Sequence, residues 1–422
     1  MKPFRITSLE AHQIGPFGDL KMTFPEKPAG MEDKAEVHIL TGENGVGKST
    51  VLEALIIGFD GGDIHKLGKK IRNDGKFSIK IDFSEGGKTH WKIENGNYTG
   101  NFSNSKIKEY KMKYGQHKAA YEFCAFAYSW HVDDDVPQIV SINEITNYPL
   151  ENALDFKTSR SPKVFLQWVA NSLTKSLLAK NSGDETASDR FIKPISIIED
   201  VIEKIIDLPI KFQFTYDPLS VLIEVNHERL DFNLLPDGLK SIISWLADLL
   251  MRMDRVKWVD DIPVFERNFI LFLDEIEVHM HPRWQRKILP AVQGLFPNAQ
   301  IFISTHSPFV INSVDGAWIH RLVKPNGDSV ALEPMLSEDG KSVTQVLDEI
   351  FDVREQFGEK VEADLKAFRK LRNEILLQNS PEKMAALQKM ADNLSIQSFH
   401  LQQIMGMEMR QLHRQLQGKI TA

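Results

Sequence analysis

The sequence predicts an α/β fold: a mixed β-sheet, a mostly helical insertion and an all-helical C-terminal extension. Three observations predict it. Val37–Leu40 is a short apolar run that leads into a glycine-rich loop and then into a segment of helical spacing, the strand–loop–helix unit of a parallel sheet. Phe269–Leu273 and Ile301–Ile303 are unbroken apolar runs, as strands covered on both faces require, with one helical stretch, Trp284–Leu295, between them. The last eighty or so residues carry only helical spacing.

Taken in order, Arg5–Phe24 alternates and breaks at Gly15-Pro16-Phe17-Gly18, which predicts a β-hairpin. Lys48–Phe59 is predicted helical from Val51, Leu52, Leu55 and Ile56. Phe77–Phe83 and Thr89–Ile93 alternate on either side of Glu85-Gly86-Gly87, a second hairpin. From 101 to 209 the pattern is irregular and mostly helical. Strands return at Lys211–Thr215 and Val221–Val225, and Gly238–Met253 is a helix with apolar residues at Ile242, Leu246, Leu249 and Met253. Ser380-Pro381-Glu382 is a helix start. The expected organisation is therefore 1–100 and 210–335 as two lobes of one head, 101–209 as an insertion and 336–422 as a helical extension.

Composition narrows the class. The chain has 422 residues, 42% hydrophobic and 26% charged, in the ordinary range for a globular protein. It contains no apolar run of the roughly 20 residues that a membrane helix needs, and MKPFRITSLE lacks the apolar stretch of a signal peptide. Cys124 is the sole cysteine, which excludes an internal disulfide and a cysteine-built zinc site and points to a reducing, cytoplasmic compartment. With a net charge of −7, any contact with nucleic acid has to come from a local patch.

Gly42-Glu43-Asn44-Gly45-Val46-Gly47-Lys48-Ser49 fits the P-loop pattern in full. Glycines let the backbone curl so that its N–H groups face phosphates, and the helix that follows adds its N-terminal dipole. Lys48 would reach the β- and γ-phosphates of ATP, and the Ser49 hydroxyl would bind Mg²⁺. Gly42, Asn44, Gly45, Gly47, Lys48, Ser49 and Thr50 are the nucleotide-binding candidates. Downstream, the Phe269–Leu273 run ends in Asp274 and Glu275. Such a strand places Asp274 near the metal, commonly through water, and Glu275 beside the γ-phosphate to polarise an attacking water. After Ile301–Ile303 comes Ser304-Thr305-His306-Ser307, where His306 can hydrogen-bond the γ-phosphate or that water. Glu275 and His306 are the catalytic candidates, with Ser49 and Asp274 on the metal.

GENGVGKST, LFLDEIEVHMHP and FISTHSP, in this order and spacing, resemble the RecF/SMC-like branch of the ABC ATPases over about residues 1–95 and 210–335. The resemblance implies an ABC-ATPase head. Two such heads sandwich two ATP molecules, and a signature loop of one closes on nucleotide held by the other. Leu235-Pro236-Asp237-Gly238-Leu239-Lys240 matches that loop, which assigns Asp237 and Gly238 to nucleotide. The family has serine and glycine where this chain has Pro236 and Asp237; the missing hydroxyl implies ATP sensing or slow turnover. For the glutamine that watches the metal, Gln116 and Gln138 are the two candidates.

More narrowly, LPDGLKSIISW, DEIEVHMHPRWQRKILPAVQGLFPN and FISTHSPFVINSV resemble the PtuA family, the ATPase subunits of Septu-type antiphage systems. That resemblance implies a homodimer or higher homo-oligomer built through the heads, a separate HNH nuclease subunit, and nucleotide that holds the complex in check. The rival readings are a RecF-type repair ATPase that binds DNA itself and a transporter motor; DEIEVHMHP argues against the second.

Glu277, His279 and His281 alternate after the acids and belong to a strand-to-helix turn closed by Pro282, expected to meet the partner head and not to bind metal. Residues 103–118 hold Lys106, Lys108, Lys111, Lys113 and Lys118 with Tyr110 and Tyr114 between them: either a DNA- or RNA-backbone contact or a solvated helix face. Lys66, Lys69, Lys70 and Arg72 pose the same choice. Asp133-Asp134-Asp135 lacks the strand context of a nuclease metal site. In the tail, Val361, Leu365, Phe368 and Ile375, then Met384, Leu387, Met390 and Leu394, then Ile404, Met405, Met407 and Met409 form stripes that serve either the tail's own core or a docked partner.

Overall fold

A computed structural model describes residues 2–60, 77–94, 97–130, 136, 139, 141–338, 340–378 and 380–420. The Lys66–Arg72 cluster, Asp133–Asp135 and Gln138 lie outside them. The chain divides into two compact units, Met1–Val346 and Leu347–Ala422.

The first unit is built on two main sheets. β1 (Ile6–Ile14), β2 (Phe17–Thr23), β4 (Phe77–Phe83), β5 (Lys88–Glu94) and β6 (Asn97–Phe102) form an antiparallel sheet in the order β2-β1-β4-β5-β6. Its strands alternate buried and less buried residues, as a sheet with one covered face does. The central sheet holds β3 (Glu36–Thr41), β7 (Cys124–Ser129), β11 (Phe269–Asp274), β12 (Ala299–Ser304) and β13 (Trp318–Val323). These run parallel in the order β13-β3-β12-β11-β7, and β14 (Val330–Ala331) and β15 (Met335–Leu336) pair antiparallel with β13, so the sheet is mixed. Every residue of β3, β7 and β12 is buried, and each large apolar side chain so removed from water contributes roughly 1.5–3 kcal/mol.

Helix α1 (Lys48–Asp60) lies between the sheets, touching β1 and β4 on one side and β11 and β12 on the other. Gly58 makes this close approach possible: a Cβ there would stand 2.7 Å from Ile81 Cδ1. Helix α2 (Ser105–Lys113) follows β6, capped by the Asn104 side chain. The insertion is a hairpin of α3 (Pro162–Asn181) and α4 (Glu185–Ile206), packed against the antiparallel β8 (Ile210–Tyr216) and β9 (Leu219–Val225), with β10 (Glu228–Leu230) on the outer edge of β9.

The mostly helical reading of 101–209 is corrected at Cys124–Ser129, which is a strand of the central sheet, paired with β11 from Phe269↔Cys124 to Asp274↔Ser129. The Gly238–Met253 expectation corresponds to α5 (Asp237–Ile242), a π-helical turn Ile243–Ala247 and α6 (Asp248–Arg255) in direct succession. Buried Asp248 ties this segment down, accepting from the Tyr128 hydroxyl (2.9 Å) and from Arg252 Nε (2.6 Å). Helix α7 (Pro282–Leu295) connects β11 to β12, and the short α8 (Pro308–Ile311) follows β12.

At the amino ends of the parallel strands sits a buried polar network. Arg5 forks onto Glu36, His38 Nε2 lies 2.8 Å from Glu36 Oε1, and His38 Nδ1 lies 3.1 Å from His320 Nε2. Because Glu36 can only accept when ionised, His38 carries its proton on Nε2, and His320 Nε2–H must then donate to His38 Nδ1. Burial pushes the Glu36 pKa up, but the hydrogen bonds from His38 and Arg5 and the charge of Arg5 outweigh it and leave it below the usual carboxylate value. Burial lowers His38, and it takes His320 well below an ordinary histidine.

Helix α9 (Val343–Phe351) spans the division between the units. In the second unit, α10 (Glu359–Leu377), α11 (Pro381–Ser395) and α12 (Phe399–Ile420) pack on one another. The tail stripes meet there: Leu365, Phe368, Ile375, Leu387, Leu394 and Met405 are its buried core, and Val361, Met384, Met390, Ile404 and Met409 pack against it. Met407 is exposed.

Candidate nucleotide site

The carboxyl ends of the parallel strands converge where open α/β sheets place their ligands. β3 leads into the P-loop, whose Gly42, Gly45 and Gly47 have φ of 144°, 82° and 101°. A Cβ at Gly42 would lie 2.2 Å from the Leu322 carbonyl oxygen, and one at Gly47 would strike Pro16 and Phe17 of the β1–β2 turn. Only glycine fits both places. Asn44 lies on the same loop, and Lys48, Ser49 and Thr50 open α1. The Lys48 ammonium donates to the carbonyls of Gly42 (3.1 Å) and Glu43 (3.2 Å), so it lies in the loop's concavity.

The metal candidates meet directly. Ser49 Oγ donates to Asp274 Oδ1 at 2.9 Å, and Ser304 Oγ donates to the same oxygen at 2.5 Å. Hydroxyl and carboxylate oxygens at one point are the donors that Mg²⁺ takes, with phosphate oxygens and water completing its shell. Among the described residues no three His, Cys, Asp or Glu side chains form a metal cluster.

Glu275 follows with a φ of 52°, its N–H donating to the Ser304 carbonyl (3.1 Å), and its Oε1 lies 3.4 Å from His306 Nε2. Burial, then Asp274, raises the Glu275 pKa against the pull of Lys48. Burial and Lys48 lower that of His306, and burial lowers Lys48 against the attraction of Glu275, Asp274 and Glu277. A basic group, a partly desolvated carboxylate and a neutral imidazole thus face one space, the set needed to hold a polyphosphate and activate water beside it.

Asp237 and Gly238 are elsewhere. Among the described residues no hydrogen bond or ion pair joins them to Lys48, Asp274, Glu275 or His306. Gly238 lies against the loop after β11, where a Cβ would stand 2.8 Å from the His279 carbonyl oxygen. The Asp237 side chain is 69% exposed, with Lys240 at 3.7 Å. Gln116 fails as the metal-watching residue: it precedes β7, at the end away from Asp274, and its amide donates to the Met112 carbonyl. The end of β7 is occupied by Ser129 and Trp130, whose N–H donates to the Asp274 carbonyl (3.2 Å). His279 packs edge-on against the Trp130 ring, and His281 caps α7 by accepting from Arg283 N–H.

The α2 lysines are largely engaged within the chain. Lys106 pairs with Glu85 and Glu122, Lys113 with Glu109, and Lys111 lies over the Phe102 ring at 4.1 Å, while Tyr110 is buried. Sequence reasoning missed Ser304, Thr305 and Gln285 as partners of the site; the hydroxyls immediately before His306 were the available signal.

A P-loop and acid-tipped parallel sheet flanked by an antiparallel sheet, with a helical insertion, is the fold of an ABC-type ATPase head. More particularly, the chain is similar to Septu protein PtuA of Bacillus thuringiensis, 24% identical over 327 residues that cover 73% of each chain. It is also similar to the "Retron Vc95 probable ATPase" of Vibrio cholerae serotype O1 biovar El Tor, 26% identical over 52% of this chain. The match spans 42% of that relative's length. Two family models match, "AAA domain" over residues 8–208 and "AAA domain, putative AbiEii toxin, Type IV TA system" over 156–312. Among solved structures, the SMC head domain of Thermotoga maritima superposes with a TM-score of 0.43 at 12% identity, over 78% of this chain and 98% of that one. No helix among the described residues is long and apolar enough to cross a membrane.

Proposed function

We propose that this chain is the ATP-binding regulatory subunit of a cytoplasmic antiphage defence complex, a slow ATPase that assembles through paired heads and controls a separate nuclease of the HNH type. The observation that carries the ATPase reading is the convergence of the Ser49–Asp274–Ser304 oxygens with Lys48, Glu275 and His306 at one end of the parallel sheet. The defence reading leans on the similarity to PtuA across most of both chains.

In this reading the P-loop amides and Lys48 grip the β- and γ-phosphates, and Ser49 and Asp274 hold Mg²⁺, which supplies charge neutralisation at the phosphates. Glu275 orients and polarises the attacking water, and His306, neutral near pH 7, hydrogen-bonds the γ-phosphate. Asp237 and Gly238, turned away from their own chain's site, face nucleotide held by the partner head. There Asp237 sets a carboxylate near a triphosphate where the family has glycine, and Pro236 lacks the family's serine hydroxyl, which together oppose tight closure and slow turnover.

The test is nucleotide binding, turnover and association of the purified chain, alone and with the proteins encoded beside it. ATP-dependent pairing with slow turnover, and co-purification of a nuclease, are expected. Absence of ATP binding would overturn the reading of the site; rapid turnover by the isolated chain would overturn the regulatory part.

A further inference from the structure

Below the groups that would touch nucleotide lies a carboxyl that does not. Glu277 sits in the loop between β11 and α7 and is almost entirely buried. Its Oε1 accepts from the Thr305 hydroxyl and from the His306 N–H (3.2 Å), and the Thr305 hydroxyl accepts in turn from the Ser307 N–H (2.9 Å). Gln285 of α7 closes the other side. Its amide donates to the Met280 and Glu277 carbonyls (3.0 and 3.3 Å), and its oxygen accepts from the Ser307 hydroxyl (2.6 Å). The segment 305–307 after β12 is thereby clamped to the segment 275–280 after β11 by side chains from both. Glu275 and His279 hold left-handed backbone, φ 52° and 69°, conformations that persist only where surroundings enforce them. The product of the clamp is the 3.4 Å approach of His306 Nε2 to Glu275 Oε1.

We propose that Glu277 is a positioning residue: by gripping Thr305 and the His306 amide, it sets the imidazole over Glu275 and so governs turnover without touching nucleotide. The inference rests on the reading of Glu275 and His306 as the hydrolytic pair. Burial pushes the Glu277 carboxyl up to about 7 against the hydrogen bonds from Thr305 and His306 that pull it down. Oε1 accepts in either protonation state, so the grip needs an acceptor oxygen more than a charge, and glutamine should replace glutamate here.

The experiment compares ATP hydrolysis and fluorescent-ATP affinity for Glu277→Ala, Glu277→Gln, Thr305→Val, Thr305→Ser and His306→Ala in the full-length chain. A misplacement of this kind lowers kcat by about 10- to 100-fold. That loss is expected for Glu277→Ala, with a smaller one for Thr305→Val, both at unchanged nucleotide affinity. Glu277→Gln and Thr305→Ser should stay within about 3-fold of the parent. Adding Glu277→Ala to His306→Ala should cost nothing further, whereas a merely structural residue would still lower activity. If His306→Ala hydrolyses ATP like the parent, the underlying reading of the site falls. If His306→Ala is slow but Glu277→Ala or Thr305→Val turns over normally, or if their losses add to that of His306→Ala, the positioning role is refuted. Should Glu277→Ala fail to fold, Thr305→Val, which leaves no cavity, decides by the same criteria.

Discussion

Replacing His320 by glutamine should flatten the acid side of the stability curve of the first unit by a calculable amount. His320 is buried and neutral in the fold, donating from Nε2 to His38 Nδ1, and burial holds its pKa well below the ordinary 6.5. The unfolded chain binds a proton below pH 6.5 that the folded chain refuses, so the stability His320 contributes is present above 6.5 and is lost as pH falls through that value. Between pH 7.5 and 5.5 the linkage relation gives a loss of about 1.4 kcal/mol for a histidine that stays neutral throughout in the native state. A glutamine amide can donate to His38 as His320 does, but it cannot titrate. Glu277 works in the opposite direction: its native value of about 7, against 4.5 unfolded, adds roughly 2 kcal/mol over the same interval. The absolute curve therefore conceals the histidine, and the difference between variant and parent isolates it. Every tryptophan lies within Met1–Val346, so guanidinium titrations followed by tryptophan fluorescence at each pH report this unit alone. The variant should lose about 1.4 kcal/mol less than the parent; parallel curves would refute a buried, neutral His320.

Lys48→Ala should abolish ATP binding by calorimetry, whereas Glu275→Gln should bind ATP normally and hydrolyse it some 10²-fold or more slowly, since it removes the group that polarises water; equal turnover would dismiss Glu275 as catalytic. Asp237→Arg, which trades the opposing carboxylate for a cation beside the partner's triphosphate, should tighten ATP-dependent association, and unchanged association would count against shared sites. Asp237 suits this test better than Gly238, whose substitution would strike the His279 carbonyl of its own chain. Deleting Leu347–Ala422 should leave a head that binds ATP, because that segment has its own core; if pull-down of the nuclease also survives, the tail is not the docking element.

What was legible in the sequence was local. Phe269–Leu273 and Ile301–Ile303 are apolar throughout, and Val37–Leu40 apart from His38, because both faces of their strands are covered, and the P-loop declares itself by glycines that no other residue could replace. β7 escaped notice because Cys-Ala-Phe-Ala-Tyr-Ser is short, lies among helical segments, and is made a strand by pairing with β11 some 145 residues later. The same holds for the site: Lys48, Asp274 and His306 were recognisable by motif, whereas the partnership of Glu277 with Thr305 and of His38 with His320 depends on register between strands far apart in sequence. The tail stripes were seen correctly as apolar, but periodicity alone does not tell a self-packed bundle from a docking face, and most of their residues pack against one another.

The strand order carries a consequence for the making of the protein. β3, which bears the P-loop, finds its two neighbours only in β12 and β13, some 260 to 280 positions later in the chain. At a ribosomal pace of about 5–20 residues per second, that leaves an apolar strand without partners for roughly 13 to 55 seconds while the intervening segments emerge. The antiparallel hairpins and the α3–α4 pair can form from neighbouring sequence as they appear, but the nucleotide cradle cannot close until the translation of β12 and β13 is complete. On the proposed reading, ATP would seal the finished head and not nucleate its folding, and a ribosome stalled before β12 would present β3 to chaperones as an unclaimed sheet edge.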